Sequence, residues 1–385
     1  TYTVLLAAYV LFFHAEDGIL GRFRWLEFSR LLCRSDPDGL LEFSVGYTDR
    51  AVNHMSQKFQ RTMQDISRIL KSVYHGRSAV IVPGSGTYGM ESVARQFAAG
   101  KRCLVVRNGL FSFRWSQILE TGSITDKITV LKAERRSEVP QSPFAPFPVQ
   151  KAAQTVRAEK SELVFLPHVE TASGMILPDS YISAMAEAVH SVGGLLVLDC
   201  VASGAIWVDM ERLGVDILVT APQKGWSGPP CCAMVLLSDL ARTRIDSTAS
   251  SSFSCDLKEW LEIMETYEKG GHAYHATPPT DSLVALAKVM REMESFGFDK
   301  AKAAQADLGR RARLLLASKG FGSVAAPGFE APGVVVCYTS DPDIQSGKKF
   351  KELGVQIAAG VPLKIDEPAD YRSFRLGLLD RKSVV

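Results

Sequence analysis

Seven short β-rich runs alternating with helix-like segments predict an α/β fold: a large domain on a mostly parallel seven-stranded sheet, followed by a smaller C-terminal α/β domain. Three observations carry this reading. The runs are continuously apolar, as in Gly194-Leu195-Leu196-Val197-Leu198 before Asp199, the pattern of strands covered on both faces. Helical periodicity fills the intervals between them. Polar clusters recur just beyond the carboxyl ends of the runs, where ligands gather in such sheets.

In chain order, Phe59, Met63, Ile66, Leu70 and Val73 repeat at steps of four and three, which marks an amphipathic helix. The expected strands are Ala79–Val82, Cys103–Val106, Ile128–Leu131, Leu163–Leu166, Leu195–Asp199, Asp216–Val219 and Ala233–Leu237. Tyr88–Ala99, Phe111–Glu120 and Ser180–Ser191 are expected helices between them. One long helical stretch from Pro279 to Ser318 leads to strands near Val334–Tyr338 and Phe374–Leu378. This divides the chain into a non-native head at 1–35, a large domain at 36–296 and a truncated small domain at 297–385. The head and tail are set apart because His14-Ala15-Glu16-Asp17-Gly18-Ile19 and Arg381-Lys382-Ser383-Val384-Val385 resemble translated sequencing-adapter read-through.

Composition narrows the class. The chain has 385 residues, 46% hydrophobic and 22% charged, with a net charge of +2. That is an ordinary globular balance, without the basic excess that nucleic acid or an anionic membrane would attract. Val4–Phe13 is too short to span a bilayer. The seven cysteines form no CxxC pair and no zinc spacing, so reduced thiols and a cytoplasmic setting are expected.

The chemistry sits in the polar clusters. Pro83-Gly84-Ser85-Gly86-Thr87-Tyr88-Gly89 follows a strand and opens a helix; free backbone N–H groups there form an anion cup, or Ser85 is a plain cap. Neither GxxxxGK[ST] nor GxGxxG is met. Asp199 ends a buried strand and must find a cationic partner or cap a helix. Lys224 lies 25 residues later in Thr220-Ala221-Pro222-Gln223-Lys224-Gly225-Trp226-Ser227-Gly228-Pro229, among small residues and prolines. It is either a solvated loop lysine or an amine pinned in a pocket. An amine for a Schiff base and an acid to keep a pyridine nitrogen protonated are the pair that pyridoxal 5′-phosphate requires. His168 is a satisfied core residue or touches the cofactor. Arg375, inside the apolar run Ser373-Phe374-Arg375-Leu376-Gly377, grips a carboxylate or closes a structural ion pair.

Together these motifs resemble the class V aminotransferases of pyridoxal-phosphate fold type I, in particular the alanine–glyoxylate and serine–pyruvate enzymes, over residues 36–379. The resemblance implies ping-pong transamination from a small amino acid, alanine or serine, to a 2-oxo acid such as glyoxylate or pyruvate. It implies that Lys224 forms the Schiff base, Asp199 pairs with the pyridine nitrogen, and Ser85, Gly86 and Thr87 cradle the phosphate beside Gln223. Phe111, in Asn108-Gly109-Leu110-Phe111, takes the place of the aromatic stacked on the ring, and Thr171, after His168-Val169-Glu170, matches a residue near the ring hydroxyl. Tyr274 and Thr277 match residues that reach the phosphate from the other subunit, so a homodimer is implied; Arg375 matches the substrate-carboxylate arginine. Two departures from the family pattern are expected: the head stands in place of the family's amino-terminal segment, and the final helix expected after Leu378 is not part of this sequence. The rival readings are a cysteine desulfurase or lyase, which wants a reactive loop cysteine and a histidine before the lysine, and a non-catalytic relative of the same fold.

Overall fold

The computed structural model describes residues 51–378; the expectations for the head, for Cys33 and for the terminal tail lie outside them. The first described helix, α1 (Gln57–Tyr74), starts where Ser56 accepts a hydrogen bond from the Phe59 N–H, and stops at His75 in the left-handed conformation. Its buried stripe is Phe59, Met63, Ile66 and Leu70, the spacing read from the sequence.

The seven expected strands join one sheet: β1 (Ser78–Pro83), β2 (Cys103–Arg107), β3 (Ile128–Lys132), β4 (Leu163–Pro167), β5 (Leu195–Asp199), β6 (Ile217–Thr220) and β7 (Cys232–Leu237). Their spatial order is β1-β7-β6-β5-β4-β2-β3. Only β7 runs against its neighbours. The cause is local. Eleven residues, 221–231, separate β6 from β7, too few for a helical crossover back to a parallel start. The chain therefore turns around, and that reversal carries Lys224. The expected strand at Asp216 begins one residue later, because the Asp216 carboxylate is taken by the Leu196 N–H and by His190.

Helices α2 (Gly86–Phe97), α3 (Leu110–Thr121), α4 (Val149–Glu159) and α5 (Asp179–His190) follow successive strands, and α6 (Leu257–Glu268) packs with α1 against β1. The sheet centre, β4, β5, β6 and β7, is buried throughout, whereas the edge strand β3 is mostly half-exposed. Register aligns Pro167, Asp199 and Val219 across β4, β5 and β6, so three carboxyl ends open at one level.

The long helical stretch is two helices, α7 (Thr280–Phe296) and α8 (Phe298–Ser318), broken at Gly297 with φ 98°. A second, antiparallel sheet follows, β8 (Val334–Tyr338), β9 (Ala358–Ala359) and β10 (Ser373–Gly377), with β10 in the middle. Alternation divides its faces. Val334, Val336 and Tyr338 pack with Phe144, Val169 and Met175 of the first sheet's loops, while Val335, Cys337, Phe374 and Leu376 meet α8. Arg375, between Phe374 and Leu376, is thereby turned toward the large sheet.

Helix α2 lies so close to the sheet that a Cβ on Gly89 would stand 2.4 Å from the Ala233 Cβ. Gly89→Ala is expected to cost about 1–3 kcal/mol through overpacking, read as a lower urea midpoint with an unchanged slope.

Candidate active site

The aligned strand ends open into a cavity of about 390 Å³ whose walls include Ser85, Gly86, Thr87, Phe111, Thr171, Asp199, Gln223, Lys224 and Arg375. Nine of the twelve residues singled out from the sequence thus meet in one place. They come from the carboxyl ends of five strands of the large sheet, β1, β2, β4, β5 and β6, and from β10 of the small one.

Each arrives for a local reason. Gly84, at φ 122°, makes the turn out of β1, and a Cβ there would strike the Tyr88 ring at 2.7 Å. Ser85 occupies the N-cap position of α2, yet its hydroxyl makes no capping bond. Tyr88 and Gly89 return their N–H groups to the Ser85 carbonyl. The N–H groups of Gly86 and Thr87 have no acceptor among the described residues, which leaves a donor pair with the positive end of the helix behind it. Gly86 could not be larger, because its Cβ would lie 2.9 Å from Val201 Cγ2.

Asp199 is 9% exposed. One carboxylate oxygen accepts the Val201 N–H at 3.0 Å, and no cation of the described residues lies within ion-pair distance of it. Burial pushes its pKa up to about 6, with Glu170 adding to the rise and the Val201 N–H and Arg114 opposing it. Lys224 is half-buried in the β6–β7 reversal. Burial, then Arg375 and Arg114, hold its ammonium below the usual lysine range. The Gln223 Oε1 beside it is buried with no partner. Arg375 gives its Nε–H to the Ala359 carbonyl at 2.8 Å and is otherwise free for a ligand, with no carboxylate of the described residues in ion-pair distance. It also lies over Phe111, 5.9 Å from the ring centroid.

Three sequence candidates lie elsewhere. His168 is behind the cavity wall: its Nδ1 is 2.7 Å from Ser203 Oγ, and burial lowers its pKa to about 4, so it is neutral at pH 7. Tyr274 and Thr277 bond each other at 3.1 Å on the exposed surface, outside this chain's cavity.

Two charged residues went unrecognised in the sequence. Glu170 is fully buried and accepts bonds from the Phe111, Ser112 and Ala172 N–H groups and the Ser112 hydroxyl, at 2.7–3.3 Å. It fixes the start of α3 and with it Phe111; the bare Gly109 makes room, since a Cβ there would meet Glu170 Cγ at 2.7 Å. Arg114 lines the cavity, with Nη1 3.3 Å from Thr87 Oγ1 and Cζ 5.1 Å from the Phe111 ring centroid. Its only sequence signal was its place three residues after Phe111, on the same helical face.

A buried acid lacking a cation, a half-buried amine, a donor-lined helix start, an orphaned Gln223 carbonyl and apolar walls from Phe111, Val169 and Val201 suit a planar cationic heterocycle that bears an aldehyde and a phosphate. Pyridoxal phosphate has that chemistry, and the residues present fit it. The profile of the family described as Aminotransferase class-V matches residues 39–360, and the chain belongs to that family, which is pyridoxal-phosphate-dependent. An alanine–glyoxylate aminotransferase 1 of Saccharomyces cerevisiae is 28% identical over 255 residues, covering 63% of this chain and 63% of the relative. The match therefore spans a little under two thirds of that relative's length. A 2-aminoethylphosphonate–pyruvate transaminase of Aeromonas hydrophila is 25% identical, over 78% of this chain and 76% of the relative. Among solved structures, an alanine–glyoxylate aminotransferase from Nostoc sp. superimposes with TM-score 0.74 at 19% identity, covering 86% of this chain and 85% of that one. The fold type is the one expected from the sequence.

The Asp199 environment sets a pH dependence of stability in the cofactor-free protein. Its folded pKa, about 6, lies above the ordinary 3.8. Its contribution is thus fully present below pH 3.8 and lost as pH rises through 6, on the order of 2–3 kcal/mol. Urea unfolding of the cofactor-free protein between pH 4 and 7 should show Asp199→Asn losing less stability with rising pH than the wild type.

Proposed function

We propose that the protein is a pyridoxal-phosphate-dependent transaminase that moves an amino group from a small amino acid, alanine or serine, to a 2-oxo acid such as glyoxylate or pyruvate. The observation that carries this reading is the presence, in one cavity, of the half-buried Lys224 amine and the cation-seeking Asp199 carboxyl. The names of the relatives, several of them alanine–glyoxylate aminotransferases, support the substrate choice.

In this reading Lys224 anchors the cofactor, Asp199 faces its ring nitrogen, Ser85, Gly86, Thr87 and Gln223 receive its phosphate, and Phe111 lies against its ring. Thr171 stands near the ring hydroxyl. The bound group supplies an aldehyde that takes up amino groups and a protonated ring that accepts the electron pair of a breaking bond at the substrate Cα. The protein's own work is positional and protonic. Arg375 fixes the substrate carboxylate, and burial, aided by the charges of Arg375 and Arg114, keeps Lys224 below the usual lysine range. A lysine so lowered has a larger neutral fraction at pH 7, so its Nζ can take the proton from the substrate Cα and return it as the acid. Asp199, ionised by its cationic partner, holds the ring proton in place. The amino donor leaves as a 2-oxo acid, and the acceptor runs the same steps in reverse.

A homodimer in the cytoplasm, with the partner's Tyr274 and Thr277 at the phosphate, belongs to the same proposal; their exposure on the single chain is compatible with it. So does the division into a large and a small unit at Gly297, which the helix break there supports. No described helix is long and apolar enough to cross a membrane, and no group of described residues has the makings of a metal site. The desulfurase reading loses support, since no described cysteine lines the cavity and Cys337 is buried in β8 with its thiol pushed up to about 11.

Lys224→Ala should abolish the near-visible absorbance band that forms when pyridoxal phosphate is added, and lower transamination by roughly 10²–10⁴-fold; a band that persists excludes Lys224 as the anchor. Arg375→Gln should keep the band but raise KM for the amino donor about tenfold to a hundredfold, the loss of one charged bidentate contact, in steady-state assays with glyoxylate, pyruvate and 2-oxoglutarate as acceptors.

A further inference from the structure

The cup at the start of α2 is short of charge. A phosphate monoester carries about −1.5 to −2 at pH 7, while a helix N-terminus offers the equivalent of roughly +0.5. Hydroxyls from Ser85 and Thr87 and the orphan N–H groups of Gly86 and Thr87 add donors but no full charge. Of the residues lining the cavity, only Arg114, Lys224 and Arg375 are cationic. Lys224 is taken by its role as anchor. Arg375 is held on β10 by the Ala359 carbonyl and by pairing with Val336 and Ala358 on either side. Arg114 alone is bonded to the cup itself, through Thr87 Oγ1 at 3.3 Å, and no carboxylate of the described residues lies within ion-pair distance of it. Its Cζ lies 5.1 Å from the Phe111 ring centroid, so the aromatic that would lie against the cofactor also places the guanidinium.

We infer that Arg114 is the counter-charge of the cofactor phosphate, a binding residue that supplies from α3 the positive charge that α2 cannot. The inference rests on the proposed function, and it separates two parts of one ligand: Arg114 recognises the phosphate and is indifferent to the pyridine ring. The hydrogen bond to Thr87 is its resting contact. With phosphate in the cup the guanidinium has five N–H donors to share between that hydroxyl and phosphate oxygens.

The test uses the full chain freed of cofactor and titrated, by absorbance and tryptophan fluorescence, with pyridoxal phosphate and separately with pyridoxal, which lacks the phosphate. Arg114→Ala should bind pyridoxal phosphate about tenfold to a hundredfold more weakly, the range of a charged hydrogen-bond contact. It should weaken pyridoxal binding far less, by no more than a few-fold passed on through Lys224, whose ammonium Arg114 helps to lower, and its affinity for the phosphorylated form should depend less on salt. Arg114→Lys should recover part of the loss. Arg114→Gln keeps most of the side chain's bulk without its charge, and stands in if the alanine variant does not fold. Equal weakening toward both ligands would make Arg114 a structural residue and overturn the inference, as would unchanged binding of both. Unchanged cofactor binding with a raised KM for amino donors bearing a second acidic group would overturn it in favour of a substrate-binding arginine. If the wild type itself takes up neither ligand, the proposed function fails, and that outcome is distinct from all of these.

Discussion

The constraint on which this architecture turns is a buried carboxyl group in the cavity wall with no cation of the described residues at ion-pair distance. Asp199 is placed by strand register: Pro167 and Val219 flank it on β4 and β6, so it can neither retreat into solvent nor reach a surface lysine. A buried acid in that position either stays protonated or waits for an external positive charge. Its pKa near 6 in the cofactor-free protein reflects that condition. A cation placed beside it would favour the ionised form and bring that pKa down, so the charge of this acid is linked to what fills the cavity.

The positive groups are arranged with equal economy. Lys224, Arg114 and Arg375 share a small cavity, and burial, reinforced by the two guanidinium charges, lowers the lysine. The buried carboxyl group behind Phe111, Glu170, is occupied by three backbone N–H groups and a hydroxyl at the start of α3. It therefore tempers the field without pairing with an arginine and spoiling a ligand contact. An arginine tied to an acid would have to give up that bond before it could bind substrate.

The sequence was most legible where physics acts along the chain. Continuous apolar runs identified all seven strands, because strands covered on both faces cannot alternate. The glycine-rich turn, Asp199 and Lys224 were legible because each is a costly residue type for its place. What was hidden depended on contacts across the fold. Arg114 looks like any arginine on a helix, and only packing brings it to Thr87. Glu170 stood inside the quoted cluster His168-Val169-Glu170-Thr171, but nothing local distinguishes a helix-capping carboxylate 58 residues from its partner Ser112 from a solvated one. His168 misled in the other direction: it lies on the segment leading to the cavity, yet its ring turns to Ser203. The break at Gly297 was masked by apolar periodicity that continues on both sides of it.

How the two arms of the site keep their distance follows from one further layer of contacts. Gly225, directly after Lys224, presses on the Gly204 backbone so tightly that a Cβ would stand 2.0 Å from the Gly204 carbonyl oxygen. Gly204 in turn, at φ 66°, lies against the amide of Gln305 in α8, where a Cβ would come within 2.5 Å. That amide is wholly buried and bonded at both ends: Oε1 accepts the Ala205 N–H at 2.8 Å, and Nε2 donates to the Leu378 carbonyl at 2.9 Å. One side chain thus ties the loop beneath Lys224 to the residue just past β10, the strand that holds Arg375. A side chain on Gly225 would strike the Gly204 backbone, and one on Gly204 would push the Gln305 amide off its bonds. A buried amide bonded at both ends has a fixed length, whereas an apolar contact would tolerate sliding. The Gln305 bonds from α8 thus brace, from outside the cavity, both the loop packed against Lys224 and the end of the strand that carries Arg375.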